Sequence, residues 1–307
     1  MSFVKLGLLA LLAGLFIAAA NPTPIVGIIS QPSSTDPNSE YIAASYVKWI
    51  ELGGGRAIRV PYNAEKPALE SIFNSINGLL IPGGGSAMTD SAKYLINMAT
   101  EANKRGDYFP IWGTCMGFQW LMYHFGGDSV LKHFELSNTS VALDLTPKAY
   151  NSTLFPADHP AVLKLVSTKK ITMNNHNYGV GLDAFNDSEL KNLFDVLSTN
   201  VDVDGKTFVS TVEHKTLPIF GVQWHPEKNN FEMSVNKDGS MYEATSHTPE
   251  AVYVSMILAF HFVTLTRRST HRYTDIDLMT KELMYNTCPE YHPYSSSFTQ
   301  KYIFPKK

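Results

Sequence analysis

The chain has 307 residues, 44% of them hydrophobic, with 17 Phe, 15 Tyr and 4 Trp. That is ample material for a large buried core. Net charge is only -3, with mixed signs and no run of Lys or Arg, which excludes a nucleic-acid partner, because such a surface needs clustered basic charge.

At the N-terminus, Lys5 precedes an apolar run from Leu6 to Ile17, and Ala18, Ala19 and Ala20 follow. A basic start, a short apolar stretch and small residues predict a secretory signal peptide over residues 1–20, cut near Ala20. An uncut anchor is the alternative. Residues 21–307 then form a single domain. Three sequons, at Asn138, Asn151 and Asn186, lack Pro at the middle position and suit the same route, to the extracellular space or a lysosome.

Strands and helices alternate after the leader. Ile25-Val26-Gly27-Ile28-Ile29 is a short apolar run typical of a buried parallel strand. Ile42, Tyr46, Trp49 and Ile50 recur at helical spacing over residues 41–52, and Gly53-Gly54-Gly55 stops that helix. A second strand is expected over 57–60, a helix over 67–76 and a third strand over 78–81. The loop Pro82-Gly83-Gly84-Gly85 follows, then a helix over 90–105 and a fourth strand over 109–112. Residues 130–215 are less regular. A further strand spans 219–224, and a long helix 249–267. His261 and Arg267-Arg268 interrupt that last segment, so no membrane span is expected there. The tail from Arg268 carries no clear pattern. This rhythm predicts an α/β fold with a mostly parallel central sheet flanked by helices on both faces.

Three local patterns carry chemistry. Gly113-Thr114-Cys115-Met116-Gly117 lies between an apolar strand and a helix, as in a nucleophile elbow with sulfur in place of oxygen. Such a turn lifts its central residue above the carboxyl edge of the sheet, at the start of a helix. Gln223-Trp224-His225-Pro226-Glu227 follows another strand and offers a base, His225, with an orienting carboxylate, Glu227. The Gly83–Gly85 loop can turn backbone N–H groups toward a ligand, and an oxyanion hole needs such donors, here Gly84 with the N–H of Met116. No Lys-Ser/Thr follows the glycines, so this is not a phosphate loop. Cys115 and Cys288 are the only cysteines, and in a secreted chain they could instead pair.

Taken in this order, the patterns resemble the class I glutamine amidotransferase-like superfamily, which implies a flavodoxin-like three-layer fold. Within it, the chain closely resembles the γ-glutamyl hydrolases, the folate conjugases. The matching stretches are Tyr41 to Lys48, Ser75 to Gly84, Asp107 to Phe118, Gly221 to Lys228, and the tail Ser297-Phe298 with Tyr302-Ile303-Phe304. The resemblance implies a Cys115-His225-Glu227 site that cleaves γ-linked glutamates from folate and antifolate polyglutamates. It also implies substrate contacts at His176, Gln119, Trp224 and Gly85, a lysosomal and secreted homodimeric glycoprotein, and no metal or organic cofactor. One stretch departs from the family pattern: Asn175-His176-Asn177-Tyr178 carries Tyr where a Trp is expected. His176 lies in a polar run that reads as a loop, and an imidazolium there is expected to pair with a substrate carboxylate at acidic pH.

Three other functions fit parts of the pattern. A glutaminase subunit feeding ammonia to a synthase would use the same Cys-His-Glu site, but the leader and sequons oppose a cytosolic role. An ester-cleaving α/β-hydrolase places its acid before its His in chain order, the reverse of His225 and Glu227. A non-catalytic binding protein would not need Cys115, His225 and Glu227 together.

Overall fold

The computed structural model describes residues 21–33 and 36–306; the expected signal peptide lies outside them. In β1 (Ile25–Ile29) every residue is buried, yet the side chains divide between two cores. Val26 and Ile28 join one, Ile25 and Ile29 the other. A strand covered on both faces has to read as an unbroken apolar run. β4 (Arg56–Val60), β5 (Gly78–Ile81), β6 (Ile111–Thr114) and β12 (Ile219–Val222) join it in parallel, in the order β4-β1-β5-β6-β12. The sheet then continues antiparallel through β11 (Thr207–His214), β10 (Phe194–Val201) and β8 (Asp144–Leu145).

Helices cover both faces, as expected. One core holds Tyr46, Val47, Trp49 and Ile50 of helix Ala44–Leu52 together with Val254, Leu258 and Phe262 of helix Pro249–Thr266. The other holds Leu69 and Phe73 of Lys66–Ser75, Leu95 and Ile96 of Asp90–Lys104, and Phe118 and Leu121 of Met116–Gly126. Pro249–Thr266 is long and apolar enough to cross a membrane, with mean hydropathy 1.3, but half of it is buried inside the protein.

Two regions differ from expectation. Residues 41–43 belong to a strand, β3 (Ser39–Ala43), and the helix begins only at Ala44. The cause lies at the other end of the chain: β14 (Gln300–Pro305), in the tail without a clear pattern, pairs antiparallel with β3 from Lys301↔Ala43 to Pro305↔Ser39. β2 (Gln31–Pro32) and β13 (Glu290–Tyr291) complete this second sheet. The irregular middle contains a two-stranded ribbon of β7 (Leu131–Val141) and β9 (Thr172–Val180), whose register shifts twice. His176 therefore sits in a strand and not in a loop. Cys115 and Cys288 are both free thiols, so the disulfide left open by the sequence is absent.

Candidate active site

The elbow begins with a steric demand. β6 ends at Thr114, and the helix starts at Met116, so one residue must turn the chain. That residue is Cys115, at φ 52° and ψ -105°, a left-handed conformation rare for a residue with a Cβ. Its neighbours must give way. A Cβ on Gly113 would lie 2.7 Å from the Gly117 carbonyl oxygen, and one on Gly117 would lie 2.0 Å from the Ile81 carbonyl oxygen. The helix packs so closely on β5 and β6 that only glycine fits there. The Cys115 N–H donates to the Val222 carbonyl at 2.8 Å, which pins the elbow to the end of β12. The side chain is 5% exposed, more enclosed than an elbow open to solvent, and it borders two cavities.

β12 delivers the base. His225 follows it, buried, with its N–H bonded to the Met173 carbonyl at 2.8 Å. Its Nδ1 donates to Glu227 Oε1 at 2.7 Å. Cys115 is close enough to act on the ring through its charge. Burial alone would push the imidazole down, but the Glu227 carboxylate and the Cys115 sulfur outweigh it and raise His225 to about 10. The ring is therefore held in its charged form, a proton donor placed beside the Cys115 sulfur.

The oxyanion donors come from two directions. Gly83 N–H is taken, donating to the Tyr46 hydroxyl at 2.7 Å. Among the described residues, the N–H groups of Gly84 and Met116 have no acceptor within the protein. The two residues adjoin: a Cβ on Gly84 would meet Met116 Cε at 3.1 Å. Both line the cavity that holds Cys115. Met116 opens a helix and Gly84 lies in a loop, and free donors lining the cavity beside Cys115 suit a developing oxyanion.

The larger cavity, about 610 Å³, is lined by Gly84, Gly85, Cys115, Met116, Gln119, Trp120, Tyr123, His176 and Tyr178, among others. The smaller, about 220 Å³, runs past His225 to Tyr41, Lys228 and Phe298. Gly84, Gly85, Cys115 and Asn175 belong to both, so Cys115 sits where two arms of one cleft meet. A cavity of similar size, near Arg59, Ile72, Lys281 and Phe304, contains none of these groups. Volume alone does not locate the site; the chemistry does.

The remaining sequence-predicted residues fall unevenly. Gly85 and Gln119 line the cleft, with Gln119 Nε2 donating to the Tyr178 carbonyl at 2.7 Å. Trp224 does not line it: it is 1% exposed, packed in the core, with Nε1 donating to Thr211 Oγ1. The expected strand 219–224 ends at Val222, and Trp224 lies in the bend that follows it, with its ring in the core and not in the cleft. His176 lines the cleft but is 6% exposed, its Nδ1 donating to the Phe134 carbonyl at 3.1 Å and its ring edge-on to Phe208. Burial lowers it to about 4, against the opposing pull of that carbonyl. It is neutral at pH 5, so the expected imidazolium is corrected: Nε2, buried without a partner among the described residues, is an acceptor. Sequence reasoning missed Tyr46, which is buried beside His225, and a buried ion pair of Lys228, which lines the smaller arm, with Glu243. There Lys228 Nζ meets Glu243 Oε2 at 2.5 Å, and Asn175 donates to Glu243 Oε1 at 2.8 Å. The three sequon asparagines are exposed. Among the described residues, no group of three or more His, Cys, Asp or Glu is placed to hold a metal ion.

This arrangement has counterparts in known proteins. Residues 46–237 match the family "Glutamine amidotransferase class-I". γ-Glutamyl hydrolases from Mus musculus and Homo sapiens are each 36% identical, over 92% of this chain and 89% of theirs. γ-Glutamyl hydrolase B from Dictyostelium discoideum is 34% identical, over 94% of this chain and 85% of its own. In structure, the glutaminase domain of Trypanosoma brucei CTPS with bound acivicin superposes with a TM-score of 0.50 at 15% identity, covering 78% of this chain and 94% of that one, which is a likeness of fold alone. With the elbow, the His-x-Glu pair and relatives matching along nearly the whole chain, the protein belongs to the γ-glutamyl hydrolase family, within the class I glutamine amidotransferases.

Proposed function

We propose that this enzyme hydrolyses γ-glutamyl amide bonds, with folate and antifolate polyglutamates as its substrates. The observation that carries the proposal is the Cys115–His225–Glu227 constellation at a strained elbow, beside two unoccupied N–H donors, in a chain of this family. Cys115 sulfur attacks the γ-carbonyl carbon, and the carbonyl electrons move onto oxygen, held by Gly84 and Met116 N–H. The tetrahedral species collapses as His225 passes its proton to the departing amine, leaving a γ-glutamyl thioester. His225 then takes a proton from water, hydroxide adds to the thioester, and the thiolate leaves as the acid is released, with the proton kept on His225. Glu227 holds the ring in register and stabilises the imidazolium throughout. Neutral His176 offers Nε2 to a substrate N–H, and the two arms accommodate the groups on either side of the scissile bond.

The exposed sequons and the N-terminal apolar run support a secreted or lysosomal glycoprotein, and the family resemblance supports a homodimer. Incubating the purified protein with a folate pentaglutamate and separating products over time tests the activity. Free glutamate or glutamyl peptides with shortened folates are expected. Ammonia from glutamine with untouched polyglutamate would move the enzyme to the glutaminase class. Mass spectrometry of protein from secretory cells tests cleavage near Ala20 and glycans at Asn138, Asn151 or Asn186.

A further inference from the structure

Tyr46 lies outside the Cys-His-Glu set, yet its hydroxyl touches both halves of the machinery. It accepts the Gly83 N–H at 2.7 Å, and it stands 3.5 Å from His225 Nδ1. We infer that Tyr46 is a positioning residue, whose hydroxyl locks the oxyanion loop to the acid–base pair; this rests on the hydrolase reading above.

Three observations carry the inference. The first is where the hydroxyl proton can go. His225 Nδ1 has committed its own proton to Glu227, so it cannot accept one. The Glu227 carboxylate is the remaining acceptor near the phenol, and its Oε2 is buried with no hydrogen-bond partner among the described residues. The phenol keeps that proton: burial first, then the Glu227 and Cys115 charges, hold it well above its ordinary range. Tyr46 is thus a fixed dipole that donates toward the carboxylate and accepts from the loop, and it moves no proton itself.

The second is how little freedom the loop has. A Cβ on Gly83 would lie 2.7 Å from the Tyr46 oxygen, 2.8 Å from His225 Cε1 and 3.4 Å from Cys115 Cβ. The Gly83 backbone is seated against all three groups, and its N–H direction is set by one bond. The next peptide carries the Gly84 N–H, the proposed oxyanion donor, so a rotation at Gly83 swings that donor directly. The third is the rigidity of the anchor. Tyr46 is 1% exposed, in a core with Trp49, Trp112 and Phe262, on a helix whose start is held by the β3–β14 pairing. A site needs its first contacts supported by side chains that cannot drift, and this ring is such a support.

Tyr46→Phe deletes the oxygen and keeps the ring. Measured on a folate polyglutamate and normalised to titratable Cys115, kcat is expected to fall about 10–100-fold, with KM within about twofold, because a misaimed oxyanion donor weakens only the transition state. Combined with Glu227→Gln, the losses should be less than multiplicative, since both changes act on one unit. A kcat within twofold of wild type, or fully multiplicative losses, would overturn the inference. Should Tyr46→Phe fail to fold, fluorotyrosine at position 46 retains the hydroxyl while weakening it as an acceptor. Falling kcat with increasing fluorination supports the role, and a flat response refutes it. Absence of turnover in the wild-type protein would instead count against the hydrolase reading.

Discussion

Replacing Glu227 by Gln isolates what the carboxylate's charge does. The amide oxygen can still accept from His225 Nδ1, so the 2.7 Å geometry survives while the negative charge is lost. In the wild-type protein His225 rises from 6.5 to about 10. At about 1.4 kcal/mol per pH unit, that gap is about 5 kcal/mol of preference for the imidazolium. The Glu227 charge is the largest of the causes that raise the ring, ahead of Cys115, so removing it should lower His225 from about 10. The protonated ring is the acid that releases the amine, so the alkaline limb of kcat/KM should move to lower pH. At pH 5 the ring is protonated in both proteins, and the variant should lose only the benefit of orientation. At pH 9 the deficit should be far larger. The sign for stability follows the same shift. A raised pKa contributes stability in full below 6.5 and loses it as pH rises through about 10. The variant's lower Tm should therefore converge on wild type only in strong alkali. Steady-state rates on a folate polyglutamate from pH 4 to pH 11 provide the assay. A wild-type-to-variant ratio that is constant across this range would refute the electrostatic role of Glu227.

The remaining expectations concern single groups. Cys115→Ala should abolish turnover and retain the fold and substrate binding, measured by calorimetry and circular dichroism, whereas Cys288→Ser, at an exposed free thiol, should leave kinetics unchanged. His225→Asn should cost about 10²–10⁴-fold in kcat, more than Glu227→Gln at pH 5, because it removes the acid–base group itself. Gly117→Ala forces a methyl to within 2.0 Å of the Ile81 carbonyl oxygen, so thermal denaturation should show a loss of at least about 1–3 kcal/mol. His176→Asn should lower kcat/KM about tenfold through the lost acceptor. Because His176 titrates near 4, wild type should show no kcat/KM limb between pH 5 and 7 that disappears in this variant.

The parts of the site legible in the sequence were those confined to short windows. Gly113 to Gly117 encodes its own turn, since the glycines and the flanking strand and helix lie within about a dozen residues, and His225 with Glu227 needs only the strand before it. What could not be read depends on contacts between distant segments. Ile42, Tyr46, Trp49 and Ile50 satisfy a helical period, but β14 captures residues 39–43 from the far end of the chain and sets the helix start at Ala44. His176 sits in a polar run that gives no strand signal. Its partners, the Phe134 carbonyl and Phe208, reach it through β7 and β11. Burial by those strands turns an expected cation into a neutral acceptor. Lys228 lies next to Glu227, yet its meaning depends on Glu243, in a loop with no periodicity of its own. Trp224 adjoins His225 in the chain, but its ring packs in the core beside Thr211, a contact between strands that its sequence neighbours do not reveal.

The central claim is that hydrolysis passes through an acyl group on Cys115. Mixing the enzyme with a folate polyglutamate, quenching in acid within the first turnover and mapping the digested protein by mass spectrometry tests it directly. The predicted result is a γ-glutamyl adduct on the peptide carrying Cys115, absent in Cys115→Ala and decaying as shortened folate accumulates. Shortened folate formed at an undiminished rate by Cys115→Ala would contradict the account.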